Sequence, residues 1–146
     1  MRQSLSKTIN MKKIGLIIIA LALPLGALAQ SAEECYSKAM NYNNGWGGVQ
    51  KDPVQAAKWF LKAAEKGHKD GQALIALRYS QGDGIQKDMG EAYKWFLKAA
   101  EQGDASSQYF LGRMYKTGDY VEKDIKEAIK WLTKAAEQDQ AFAQNT

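Results

Sequence analysis

Cysteine and histidine are almost missing from this chain of 146 residues, where Cys35 and His68 each stand alone. One cysteine excludes an intramolecular disulfide. It leaves a lone thiol three fates: burial, pairing with another chain, or reaction. One His and one Cys also fall short of the converging ligands that a zinc site needs, and no spacing brings them together as nucleophile and base. His68, in the link after Gly67, therefore reads as a solvated loop residue. A phosphate-binding loop of Walker or dinucleotide spacing is missing too, so the glycines of GWGG and GDG read as turns.

A long membrane-spanning run is the next absence. Ile14 to Gly26 is apolar but shorter than the roughly 20 residues that cross a bilayer. With Met11, Lys12 and Lys13 before it and Ala27-Leu28-Ala29 after it, residues 1–29 read as a secretory signal cleaved after Ala29. Met1 to Asn10 precede a second start at Met11. Gln30, not cysteine, follows the cleavage site, which argues against a lipid anchor. Export is expected, with the periplasm as the first destination and the exterior as the alternative.

Net charge goes with that segment. The formal +4 counts 20 Lys and Arg against 16 Asp and Glu. Arg2, Lys7, Lys12 and Lys13 lie in the leader and no acid does, leaving 16 of each sign. Binding to nucleic acid draws on a basic footprint that displaces counterions from phosphates. Nucleic acid is therefore not expected as a partner.

What the chain does have is a phrase written three times: KWFLKAAEKG at Lys58–Gly67, KWFLKAAEQG at Lys94–Gly103 and KWLTKAAEQD at Lys130–Asp139. The period is 36 residues, in the range of stacked helical repeats. Ala56, Trp59, Phe60, Ala63 and Ala64 recur at i, i+3, i+4, i+7 and i+8, as do Ala92, Trp95, Phe96, Ala99 and Ala100, which puts each set on one helix face. Asp52, Asp88 and Asp124 are placed to cap these helices, and Pro53 suits a first helical position. Gln55, Glu91 and Glu127 stand at the capping-box spacing, with Asp replacing the usual Ser or Thr. Gly67 and Gly103 end the helices, while Asp139 is a weaker stop.

A second helix follows each first one, over Gln72–Gly82 and Gln108–Gly118, and AMNYNNGWGGVQ (Ala39–Gln50) reads as one more, with one inserted residue. Ala76 and Gly112 occupy equivalent places where helix backbones can approach. The expected fold is all-α, a short solenoid of antiparallel helix pairs. Its domains are a signal over 1–29 and a repeat domain over 30–146, divided into a half repeat at 30–50, repeats at 51–86 and 87–122, and a half repeat at 123–146. Neighbours must supply the wall that a lone helix pair lacks.

AYKWFLKAAEQG (Ala92–Gly103) and LGRMYKTG (Leu111–Gly118), at this period, resemble the Sel-one-like repeat, a relative of the tetratricopeptide repeat. The resemblance runs from about Ala39 to the C terminus. It implies a right-handed superhelix of helix pairs that holds other proteins, with no shared catalytic residues and no cofactor. Cysteine-rich members carry paired cysteines in each repeat, and this chain has none, so their penicillin-binding or lactamase-like activities are poor guides.

Repetition also serves as an internal control, because a group recurring in every copy is most simply architectural. Glu65, Glu101 and Glu137, with Lys62, Lys98 and Lys134, then read as a solvated face. Among positions that vary on the first helices, Ala57, Leu61, Tyr93, Leu97, Ile129 and Thr133 form one strip. The resemblance to tetratricopeptide stacks, whose first helices line the concave groove, makes this strip a candidate protein-binding face. Packing against the next repeat would give the same pattern. Trp46, in the inserted NNGWGG turn, either anchors an interface or folds over the first repeat, and Tyr120, where Gly84 stands one copy earlier, poses the same choice. The expected function is a non-enzymatic scaffold or adaptor of the bacterial envelope. The alternatives are a periplasmic immunity protein against a secreted toxic effector, an envelope-acting hydrolase using Cys35 or His68, and self-association through the terminal half repeats.

Overall fold

The computed structural model describes residues 30–144, so the leader expected over 1–29 lies outside the described residues. Six helices follow one another: α1 (Ala32–Asn44), α2 (Pro53–Glu65), α3 (Lys69–Gln81), α4 (Met89–Glu101), α5 (Ala105–Thr117) and α6 (Ile125–Gln144). Each packs on its neighbours in the chain, and no strand occurs among the described residues. The unit is an all-α solenoid.

The helix starts follow from side chains that accept orphan backbone N–H groups. Asp52 accepts from Val54 and Gln55, Asp88 from Gly90 and Glu91, and Asp124 from Lys126 and Glu127. The reciprocal half of the expected capping box is replaced, since Glu91 and Glu127 turn outward to pair with Lys94 and Lys130 at 3.1 Å. The full box is at Ser31 and Glu34, which starts α1 seven residues before the segment expected from sequence. Left-handed Gly45, Gly82 and Gly118 close α1, α3 and α5. With Asp139 where Gly67 and Gly103 stand, α6 runs on for 20 residues.

The core is the alanine and aromatic stripe of the repeated phrase. Phe60, Ala63, Ala64, Trp95, Phe96, Ala99 and Ala100 are buried, together with Ile75 and Leu111 from the intervening helices. The small residues bring backbones together: a Cβ on Gly112 would lie 2.6 Å from Leu132 Cγ and 3.2 Å from the Ala128 carbonyl oxygen, so α5 meets α6 where it has no side chain.

A glutamine ladder runs through this core. Gln72 donates to the Ala64 carbonyl and Gln108 to the Ala100 carbonyl, at 3.2 and 3.1 Å. Gln102 in turn donates to Gln72, and Gln138 to Gln108, at 2.7 and 2.8 Å. Both rungs repeat at the 36-residue period and satisfy buried amides that would otherwise cost about 1–3 kcal/mol each. Cys35, also fully buried, occupies the place in α1 that Gln72 and Gln108 take in α3 and α5.

The recurring lysines act as lids. Lys62, Lys98 and Lys134 lie over the rings of Trp59, Trp95 and Trp131 at 4.1, 4.6 and 4.8 Å, and Lys38 of α1 covers Trp59 as well. They are more than a solvated face: each ammonium lies over the face of an indole, a cation–π contact repeated in every copy.

Candidate functional site

The strip proposed from sequence lies on the seam between successive helices. Ala57 is 1% exposed and belongs to the core, and Leu61, Tyr93 and Leu97 are half-buried against it. Tyr93 shows what the seam is for, because its hydroxyl bonds the Tyr115 hydroxyl of α5 at 2.7 Å and the rings meet edge to face. Burial, aided by that bond, pushes the Tyr93 phenol up to about 12. Ile129 and Thr133 occupy the same positions on α6, where no described helix follows, and both are exposed. One periodic position thus packs twice and is open once.

Two turn residues stay accessible. Trp46 is 59% exposed. Tyr120, 60% exposed, holds a positive φ of 72° where Gly84 has 70°. Its ring covers Gly90 and lies 5.9 Å from Tyr93. His68 is not a solvated loop residue: its Nδ1 accepts the Gly71 N–H as the cap of α3, its Nε2 bonds Glu33 at 3.0 Å, and its ring stacks on Tyr36 at 4.3 Å. An accepting Nδ1 fixes the proton on Nε2, so the ring acts as a clasp between α1 and α3. Its spacing from Asp70 and Gly71 is that of a cap, a signal present in the sequence.

Among the hollows on the described surface, one of about 450 Å³ lies between α5 and α6 and one of about 400 Å³ beside α1, and others lie along α3 and α5. Two hollows adjoin there. The first, about 340 Å³, is lined by Tyr36, Asp70, Ala73, Leu74, Leu77, Phe96, Asp104, Ser106, Ser107 and Phe110. The second, about 290 Å³, is bounded by Ser80, Lys87, Met89, Phe96, Phe110, Arg113, Met114, Thr117 and Asp119. Phe96 and Phe110 wall both, stacked at 4.9 Å. Most of the lining comes from α3 and α5, whose residues change between copies: Ala73 becomes Tyr109, Leu77 becomes Arg113, and Leu74 becomes Phe110. Comparing variable positions on the second helices as well as the first would have pointed to them.

Among the described residues no group of three His, Cys, Asp or Glu side chains is placed to hold a metal, and no helix is long and apolar enough to cross a membrane.

Comparisons agree with this architecture. Two solved structures superpose with a TM-score of 0.69 each: a protective antigen present in uropathogenic Escherichia coli strains, displaying an SLR fold, at 41% identity, and a Sel1 repeat protein from Oxalobacter formigenes at 38%. Each alignment covers 73% of this chain, but only 23% of the first protein and 42% of the second, so the chain spans less than half the length of either. No curated protein matches the chain in a sequence search. The model of a family described as Sel1 repeat matches three times, at residues 35–68, 69–104 and 105–140. In that phase each unit opens in α1, α3 or α5, the helices that the sequence reading placed second. With three matched repeats in register over its helical unit, the chain belongs to the Sel1 repeat family.

Proposed function

We propose that this chain is a non-enzymatic protein-binding scaffold of the bacterial envelope that holds its partner in the groove along α3 and α5. Sel1 repeats generally serve as protein-interaction scaffolds. The observation that carries the reading is the groove itself: apolar, open, crossing from one repeat to the next, and walled by the residues that differ between copies. In the family's phase α1, α3 and α5 are the first helices of their units, and these are the helices that the tetratricopeptide resemblance assigns to the concave side. Residues 1–29, read as an export signal, support an envelope address with the periplasm first. Trp46, Ile129 and Thr133 are accessible and are offered as a second contact.

The test fills the groove without touching the core. Ala73 is half-buried on its wall, so Ala73→Arg obstructs the first hollow and costs little in helix propensity. Tagged wild type and Ala73→Arg are used to capture proteins from an envelope extract, beside melting curves of both. A stoichiometric partner held by the wild type and lost from an equally stable variant is the expected result. Retention of that partner by the variant sinks the groove reading.

A further inference from the structure

We infer that the groove takes an extended peptide of about five or six residues, with two apolar side chains set between a cationic end and an anionic end. This rests on the groove being the partner-binding surface and adds what the partner presents to it.

Length comes first. α3 and α5 each have 13 residues, hence about 20 Å at a rise of 1.5 Å per residue, and an extended chain advances about 3.3 Å per residue. Five or six residues span that distance. The two hollows lie in line on either side of the Phe96–Phe110 stack. Side chains at i and i+2 of an extended segment point the same way about 7 Å apart, so one can enter each hollow across a stacked pair of rings. Leu74, Leu77 and Phe110 wall the first hollow, and Met89 and Met114 the second. Burying a Leu- or Phe-sized side chain against such walls contributes about 1.5–3 kcal/mol.

Polar atoms fit the same occupant. An extended backbone brings N–H and C=O groups that need partners; Ser106 lines the first hollow and Ser80 the second, where the Ser80 hydroxyl donates to the Leu77 carbonyl and keeps only its acceptor capacity. Ser107, itself fully buried, also lines the first hollow, with an Oγ that has no partner. Charge gives the order of the ends. The first hollow carries Asp70 and Asp104. The second carries Lys87 and Arg113, offset in part by Asp119, and neither cation forms an ion pair among the described residues. A Lys or Arg of the peptide is favoured at the first end, and an Asp or Glu at the second.

A displayed library of random heptapeptides, selected on the full chain and counter-selected on Ala73→Arg, tests this without presupposing a sequence. The expected result is enrichment of peptides with two apolar residues two positions apart, basic on one flank and acidic on the other. A synthetic copy of one of them should bind Arg113→Gln up to about fivefold more weakly, the most that a solvent-exposed charge pair commonly supplies. Enriched peptides that depend on Ala73 but lack the spacing or the charge order overturn the inference and leave the groove reading intact. Failure to enrich any peptide over Ala73→Arg, while that variant still loses a captured envelope protein, shows that the groove grips a folded surface and overturns the inference alone. Indifference of both capture and selection to Ala73→Arg removes both.

Discussion

The helices of this chain fall into two sets that obey different rules. α2 and α4 carry the same run from Lys58 to Glu65 and from Lys94 to Glu101, KWFLKAAE in each. α3 and α5, equal to them in length, agree only at Gln72 with Gln108 and at Tyr79 with Tyr115. Those two agreements are structural: the glutamines are rungs of the buried ladder, and Tyr115 holds Tyr93 across the seam. Repetition thus marks what every repeat needs in order to stack, and the groove wall falls mainly where α3 and α5 differ, although the seam strip of Ala57, Tyr93 and Ile129 varies too. On the proposed function, a partner would read α3 and α5 and leave α2 and α4 free to be copied.

The largest effect is expected from charge placed on the seam of α4. Tyr93→Asp with Leu97→Asp forces two carboxylates into a half-buried seam, at several kcal/mol. We expect loss of the cooperative melt rather than a folded protein that has lost a partner. A normal melt would return these residues to the binding face. Next comes Trp95→Ala, at about 3–5 kcal/mol for removal of a buried indole. Trp95 is 4% exposed and its helix has neighbours on both sides. Trp131 has one described neighbour, and Trp59 is half-buried under Lys38 and Lys62. Chemical denaturation of the three Trp→Ala variants should rank Trp95 as the costliest. An equal loss at Trp131 contradicts a stack in which central positions support two interfaces.

The same contrast explains what could be read from the chain. The period, the alanine and tryptophan stripe, the aspartate caps and the close approach at Gly112 were legible because each is written in every copy or nearly so. The groove was not, for two reasons. A 36-residue repeat has no intrinsic starting point, so pairing each decapeptide helix with the helix after it looked as good as pairing it with the one before. A helix buried over a wide arc also gives an i, i+4 strip the same apolar look whether it meets solvent or a neighbour, which is why Ala57 and Tyr93 could pass for surface. Trp46 and Tyr120 were legible as exceptions, since each stands where other copies carry Asp or Gly.

Tyr120 sharpens the comparison at a smaller scale. Gly84 and Tyr120 share a turn position and a left-handed φ, yet a Cβ on Gly84 would lie 2.0 Å from the Pro53 carbonyl oxygen. In the next copy Gly90 replaces Val54, and Tyr120 lies over it. Turn and helix start have exchanged bulk. Gly84→Ala should therefore cost about 2–5 kcal/mol, overpacking of about 1–3 kcal/mol and a left-handed alanine of about 1–2 kcal/mol together. Tyr120→Gly relieves a left-handed conformation worth about 1–2 kcal/mol and gives up aromatic contact worth about 0.5–1.5 kcal/mol, so its net effect should lie between a loss of about 0.5 and a gain of about 1.5 kcal/mol. Urea midpoints of the two variants decide it, and equal losses would mean that the exchange is not compensatory.

The smallest effect isolates the seam hydroxyl. Tyr93→Phe keeps the ring against Tyr115 and Tyr120 but deletes the bond to the Tyr115 hydroxyl, for about 0.5–1.5 kcal/mol near neutral pH. Its pH dependence carries the sign of the cause. Burial first, and that bond second, push the Tyr93 phenol from its ordinary 10.0 up to about 12, so the folded chain holds this proton more tightly than the unfolded one. The stabilisation is complete below pH 10 and is lost as pH rises through about 12. Tyr36 and Tyr79, also raised mainly by burial, weaken wild type and variant alike over that range. The advantage of the wild type over Tyr93→Phe should therefore shrink from pH 9 to pH 12 while both lose stability together. If urea midpoints keep the gap constant across that window, the Tyr93 hydroxyl is solvated rather than held in the seam.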